Sequence, residues 1–243
     1  MALLRPKSQI SIADEISLRD IHPDLQLKIS PRAKRIALRL DTSARKMNLV
    51  VPKRFSMARA LDFAIQHKHW IDEKLAELPQ IITLENGSII PLLGRDRALN
   101  INYDSELKRT SIILNDNEIL ISTNLEDPTP RLKRFLKKEA EDTMANLARE
   151  KAATINKTIS DVHIRDTKSR WGSCSPDGRI MLSWRLIFAP WDAMDYVVAH
   201  EVAHLEHMNH GREFWRLCET LCDNYKSGKT WMRSNGHELL RYG

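Results

Sequence analysis

Four of the nine histidines in this 243-residue chain fall between positions 200 and 210. The first two belong to the run His200-Glu201-Val202-Ala203-His204, and an apolar stretch at 196–198 precedes them. Side chains four positions apart lie on the same face of an α-helix, because each residue turns the chain by about 100°. The run therefore predicts a helix on which both imidazoles reach one metal ion, at the roughly 2.0–2.1 Å typical of zinc–nitrogen bonds.

Glu201 follows the first histidine directly. In a motif of this kind the glutamate leans over metal-bound solvent instead of binding the metal, which predicts a general base. A structural zinc is usually closed by four ligands rich in cysteine. The chain has only three cysteines, Cys174, Cys218 and Cys222, in no such pattern, so a catalytic metal is favoured.

A catalytic zinc site has three protein ligands and one open position. His210 is the favoured third ligand, because the asparagine and glycine beside it break a helix and can turn its imidazole back toward the pair. His207 is a poor candidate, since seven residues of helix place it about 10 Å from His200 along the axis. Glu206 and Glu213 remain open as alternatives, because some sites of this type use a more distant carboxylate.

Alternating apolar and polar residues predict two antiparallel strands at 36–40 and 47–51. From Ser56, a favourable N-cap, a helical period runs to Leu78, and Pro79 ends it. Short apolar runs separated by turn residues then predict a meander of four strands, at 88–93, 97–103, 110–114 and 118–122.

Helical spacing from Leu132 to Ile155 predicts a long amphipathic helix. Two strands around a turn at 176–178 follow, and the helix of the histidine motif opens near Pro190. The predicted fold class is α+β. A β-rich N-terminal region with one amphipathic helix, residues 1–125, precedes a metal-binding domain, residues 126–243.

Further motifs surround the histidines, and they are recognisable by their order and spacing: Arg170-Trp171-Gly172-Ser173-Cys174-Ser175, the strand Arg179–Ser183, Trp184-Arg185-Leu186-Ile187, Ala189-Pro190, Tyr196–Glu201, His210 and Phe214-Trp215. Together they resemble the YgjP-like metallopeptidases, which are related to the SprT-like and WLM minimal zincins. The resemblance is firm over about residues 160–235 and looser over about 25–80. Val202 stands where the family commonly has leucine, which is also an apolar helix residue.

The resemblance implies a zincin-like catalytic domain that holds one Zn²⁺ through His200, His204 and His210, with Glu201 as the catalytic carboxylate. It also implies that the segment around Gly172 borders the active-site cleft, where this glycine would allow a close approach of substrate. Donors to an oxyanion, or side chains that orient the ligands, could come from the following residues, although each is more commonly structural: Arg170, Arg185, Tyr196 and His207.

The expected function is a zinc metallopeptidase acting on peptide or protein substrates. The alternatives are a metal-dependent nucleoside triphosphate (phosphoanhydride) hydrolase and a protease acting on proteins bound to nucleic acid. A net charge of +6 and nine basic residues between Lys28 and Arg54, against the single acidic Asp41, favour a nucleic acid or nucleotide partner. The lack of a glycine-rich phosphate loop counts against a nucleotide site of the usual kind.

The expected location is the cytoplasm, without membrane contact. No apolar run reaches the roughly 18 residues that span a bilayer, and the N-terminal sequence becomes charged too early for a signal peptide. The sequence leaves the physiological substrate and the oligomeric state open.

Overall fold

The computed structural model describes residues 17–42, 44–167 and 170–242. The chain divides into two compact units, the first ending at Pro79 and the second beginning at Gln80. The boundary predicted near residue 125 falls inside the second unit, where its strands give way to a 26-residue helix. The described elements are helices and three small sheets, a mixed composition that agrees with the α+β class.

The first unit combines a three-stranded sheet with short helices. Its elements are α1 (Leu18–Ile21), β1 (Leu25–Ile29), β2 (Ala37–Asp41), β3 (Lys46–Val51), α2 (Met57–Gln66) and α3 (Lys68–Ala76). The predicted antiparallel pair is confirmed as β2 and β3, and β1 joins it on the other side of β3 in parallel. β3 lies in the centre because it carries the most apolar face, with Met47, Leu49 and Val51 fully buried.

The helix predicted from Ser56 to Leu78 is two helices, because the backbone at His67 leaves helical geometry at φ −107° and ψ 14°. The predicted N-cap is confirmed: Ser56 Oγ accepts a hydrogen bond from the Arg59 amide at 3.4 Å. His67 Nδ1 donates a hydrogen bond to the carbonyl of Phe63 at 2.8 Å. The ring thus provides a donor for a backbone carbonyl in the last turn of α2. The spacing of apolar residues is continuous from one helix to the next, so it does not reveal the break at His67, which this hydrogen bond stabilises.

The second unit begins with a four-stranded sheet made of β4 (Ile89–Leu92), β5 (Arg95–Tyr103), β6 (Ser111–Leu114) and β7 (Glu118–Thr123). The predicted meander is wrong, since the strand order is β4-β5-β7-β6 and β5 pairs with β7 in parallel. Burial explains the order. β7 fully buries Ile119 and Ile121 and takes an inner position, whereas the short β6 leaves Ile113 half exposed at the edge.

A second sheet in this unit contains β8 (Asp161–Arg165), β9 (Gly172–Cys174) and β10 (Arg179–Ser183). The predicted strand pair around the turn is confirmed as β9 and β10, and Gly178 supplies the positive φ of +78° that the turn requires. β8 adds a parallel neighbour to β10, which leaves β9 at the edge of the sheet.

The helices of the second unit are α4 (Thr129–Thr154), α5 (Trp191–Ala203), α6 (Arg212–Leu221) and α7 (Tyr225–Asn235). The predicted long helix and the helix opening near Pro190 are thereby confirmed as α4 and α5. Among the helices in the described part of the chain, none has the length and apolar character needed to cross a bilayer.

Helix α5 is buried on almost every side, as its sequence suggests, because apolar residues occupy all of its faces. One polar contact fixes it to α4: Lys151 Nζ lies 2.6 Å from Asp195 Oδ1, and both side chains are largely buried. The same ammonium donates to the carbonyl of Leu221 at 2.5 Å, which ties the end of α6 to this pair.

Helix α7 packs against α5 through a glycine. A Cβ atom on Gly228 would lie 2.2 Å from the carbonyl oxygen of Asp192 and 2.7 Å from the Cβ of Tyr196. Real atoms do not approach so closely, so the absence of a side chain at Gly228 allows the two helices to touch.

Substitution Gly228→Ala tests this contact, because two effects of opposite sign compete. Helix propensity alone would stabilise the protein by about 1 kcal/mol. The overpacked helix interface should dominate and lower the free energy of unfolding by about 1–3 kcal/mol, as measured by urea denaturation. The neighbouring exposed Ser227→Ala is the control, and it should change stability by less than about 0.5 kcal/mol. A net gain in stability for Gly228→Ala would contradict the close packing.

Candidate metal centre

The predicted site residues gather at the C-terminal end of α5. His200 and Glu201 lie in its last turn, and His204 is the residue at which the helix ends. The chain then turns, and His210 comes just before Gly211, the N-cap of α6. A helix break is present, as predicted, but it begins earlier than residues 209–211, because α5 ends at Ala203, so His207 does not lie on a continuing helix as assumed. The turn that follows returns the side chain of His210 to the other two histidines.

The three imidazoles of His200, His204 and His210 each offer a ring nitrogen, and these nitrogens all lie within 4.8 Å of one another. Nε2 of His210 is 3.1 Å from Nε2 of His200. Two nitrogens bound to one tetrahedral zinc ion are about 3.3 Å apart, given zinc–nitrogen bonds of about 2.0–2.1 Å. The donor set and its spacing therefore fit a single transition-metal ion.

Hydrogen bonding orients the ring of His204. Its Nδ1 donates to the backbone carbonyl of His207 at 3.0 Å, which leaves the lone pair on Nε2. The contribution of His207 thus comes from its carbonyl. Nδ1 of His200 is buried and has no hydrogen-bond partner among the described residues. A buried polar atom without a partner is uncommon in a packed core and typical of a functional position.

Phe214 supports all three rings. Its ring centroid lies 4.9 Å from that of His200, 4.5 Å from that of His204 and 4.7 Å from that of His210. The phenylalanine is fully buried on the first turn of α6. Its position in the apolar stripe of α6 indicates only a core residue, whereas the structure shows that it also holds the imidazoles in place.

Burial favours the neutral form of two of these imidazoles, those of His200 and His204. Burial, together with the nearby His204, His210 and Lys229, lowers the pKa of His200 to about 4. Burial also lowers the pKa of His204. A neutral ring with a free lone pair is the form of histidine that binds metal ions.

Glu201 is buried beside the histidines, with 5% of its surface exposed. Burial raises the pKa of its carboxyl to about 8, and the positive charge of Arg170 opposes that shift. Gly172 of β9 lies directly against it: a Cβ atom there would be 2.5 Å from Glu201 Oε1. The sequence suggested that this glycine makes room for substrate, and the structure shows that it makes room for the Glu201 carboxylate.

Two cavities flank Glu201, and both are lined by Gly172, His200 and Glu201. One, of about 240 Å³, is walled by Trp171 and Tyr196. The other, of about 280 Å³, also includes His204 and His210. The carboxylate and the three imidazoles thus line one cleft.

Arg185 and Glu206, which the sequence also offered as candidates, form contacts outside the proposed site. Arg185 is buried, and its guanidinium donates to the carbonyl of Tyr242 and to the carboxylate of Asp166, as expected for a structural residue. Glu206, an alternative third ligand, forms an ion pair of 2.6 Å with Lys157.

Comparison with known proteins assigns the chain to a family of metallopeptidases. The sequence pattern described as YgjP-like, metallopeptidase domain, matches residues 34–235, which is most of the chain. The chain therefore belongs to the YgjP-like metallopeptidase family, and the resemblance of its motifs is confirmed. It is also similar to the crystal structure of the metallopeptidase zymogen of Pyrococcus abyssi abylysin, at 23% identity over 38% of this chain and 95% of that chain, with a TM-score of 0.34. No curated protein matches the chain.

Substitution of single histidines tests the metal centre. His204→Ala and His210→Ala should each weaken zinc binding by more than about 100-fold, because loss of a ligand costs more than loss of a residue that only orients one. His207→Ala is the matched control, since it keeps the backbone carbonyl that accepts from His204. Competition with a chromophoric chelator measures the affinities. Equal affinity of His210→Ala and the wild type would remove His210 from the site.

Proposed function

We propose that this protein is a zinc-dependent metallopeptidase that uses Glu201 as its general base. Membership in the family supports a hydrolase with peptide or protein substrates. The observation that carries the finer proposal is the convergence of three imidazoles beside one buried carboxyl group in a single cleft. The basic residues between 28 and 54 belong to the first compact unit, and the proposed site belongs to the second.

The proposed ligands of one Zn²⁺ are His200, His204 and His210. When bound by three protein ligands, zinc supplies a Lewis acid that polarises a carbonyl and makes water acidic, with a pKa of about 7. The carbonyl of His207 and the ring of Phe214 hold the imidazoles in orientation. The chain thus provides a preformed set of nitrogen donors.

Glu201 is the proposed proton carrier. Its carboxylate lines both cavities next to His200, where an attacking water and a scissile peptide bond can meet. It would accept the proton of that water and then deliver it to the amine that leaves. Gly172 fixes the distance between this carboxylate and β9, because nothing larger fits between them.

The position of β9 at the edge of its sheet is evidence that the substrate is a peptide. It has one neighbour, β10, in its sheet, and its first residue touches the catalytic carboxylate. A strand edge binds an extended peptide through backbone hydrogen bonds. Helix α5 and β9 together therefore form the core of the zincin-like domain that we place within residues 126–243.

Glu201→Gln separates metal binding from chemistry. The amide keeps the shape of the side chain but cannot accept the proton, so peptide hydrolysis should fall by about 100-fold or more while zinc affinity is retained. Release of labelled fragments from casein measures turnover, and chelator competition measures zinc. Unchanged hydrolysis would refute the mechanism. Glu201-dependent release of phosphate or pyrophosphate from nucleoside triphosphates, without cleavage of casein, would replace the peptidase assignment.

Gly172→Ala tests the contact between β9 and Glu201. The added methyl group would lie 2.5 Å from Oε1, so the carboxylate or the strand must shift. We expect turnover of casein to fall by at least about tenfold. Zinc affinity should be preserved, because the three atoms nearest to the added methyl group all belong to Glu201. Circular dichroism serves as the control for folding. Full activity of the folded variant would show that the position of Glu201 is not critical.

A further inference from the structure

Arg170 lies at the mouth of the cleft, where its positive charge acts on the carboxyl of Glu201 without a direct contact. Its side chain is exposed and makes no hydrogen bond or ion pair with any residue in the described part of the chain. It lines the cavity that contains the three histidines, and it also lines an adjoining cavity of about 370 Å³. Ser173 and Cys174 of β9 line both cavities as well, so the two are continuous along this strand.

The adjoining cavity favours a negatively charged group. Its other arginine, Arg179, is already neutralised, since its guanidinium donates to Asp177 at 2.9 and 2.6 Å. The carboxylate of Glu201 is the only one among the described residues that lines either cavity. Among the described residues, therefore, no carboxylate pairs directly with Arg170, and its guanidinium can bind a group of the substrate that extends beyond the metal centre.

The remaining walls suit the stem of a side chain. Ile180 and Met181 contribute apolar surface, and Ser173 and Cys174 are small. A glutamate side chain has an aliphatic stem and a planar carboxylate, and a guanidinium binds such a carboxylate through two parallel hydrogen bonds. The cavity thus matches an acidic side chain in both shape and charge.

We propose that Arg170 determines specificity by binding an acidic side chain of the peptide substrate in the cavity next to the metal centre. This inference rests on the proposed peptidase function. It makes Arg170 a substrate-binding residue and leaves the proton transfers to Glu201.

Binding of short fluorescent peptides tests the inference without turnover. The peptides differ at one position that holds glutamate, glutamine or lysine, and that position is moved along the chain. They are titrated into the zinc-loaded Glu201→Gln protein, and fluorescence anisotropy reports the affinity. At one position the glutamate peptide should bind about tenfold more tightly than its glutamine counterpart, as expected for a charge-assisted hydrogen bond.

Variants at Arg170 then test whether this residue causes the preference for glutamate. Arg170→Gln in the same background should remove the preference for glutamate, and Arg170→Glu should reverse it in favour of lysine. Arg134→Gln is the matched control, because it removes one positive charge from a different cavity, between α4 and β6, and should leave the preference intact. Since Arg170 is exposed and forms no hydrogen bond or ion pair in the described part of the chain, these variants should fold normally.

Cleavage of the same peptides by the active protein distinguishes the two proposals. If no peptide is cleaved, the peptidase function fails, while the binding experiment still decides the role of Arg170. Equal affinity for the three peptides at every position, or a glutamate preference that survives in Arg170→Gln, would overturn the inference. A uniform fall in kcat for all peptides in Arg170→Gln, or tighter Arg170-dependent binding of a DNA oligonucleotide than of the glutamate peptide, would also overturn it.

Discussion

The burial of helix α5 is the constraint on which the candidate site depends. Apolar residues on all faces of this helix, such as Ala193, Val198 and Val202, are fully buried. Each large apolar side chain contributes roughly 1.5–3 kcal/mol when it leaves water. This contribution offsets the cost of burying a carboxylate and two imidazoles in the last turn. The polar groups are held at the edge of the cleft because the apolar part of the same helix is fixed in the core.

The ligand set is local in sequence, whereas the catalytic arrangement is not. Residues 200–214 supply the three histidines, the carbonyl that orients one of them and the phenylalanine beneath their rings. The contact between Gly172 and Glu201 joins the edge of a sheet to the end of a helix. The surroundings of the proposed ligands and those of the proposed proton carrier therefore come from different parts of the second unit.

The sequence predicts well what depends on local spacing. The pair of histidines on one helix, the break near His210 and the turn at Gly178 all follow from residue periodicity and backbone preference. Strand order could not be predicted, because the parallel pairing of β5 with β7 depends on which strand buries more apolar surface in the folded unit. The break at His67 was also missed, since a single hydrogen bond to Phe63 interrupts an otherwise continuous apolar period.

The motif around Gly172 does not by itself predict which group packs against this glycine. A glycine at that position indicates a close approach, but only the folded structure identifies the approaching group as Glu201. Similarly, the sequence offers Arg170 and Arg185 as equivalent candidates. Their surroundings distinguish them: the guanidinium of Arg185 is buried and hydrogen-bonded, whereas Arg170 is exposed and lines the cleft.

The packing of Phe214 against all three imidazoles couples the positions of the proposed donors to one another. The rings are oriented by an aromatic side chain of α6 and by a backbone carbonyl of the turn that follows α5. A core side chain that touches three rings transmits a shift to all of them, because a closely packed interior leaves few voids into which one ring could move alone. Tolerance to mutation at this single apolar position is therefore limited by the geometry of the nitrogen donors as well as by the volume of the core.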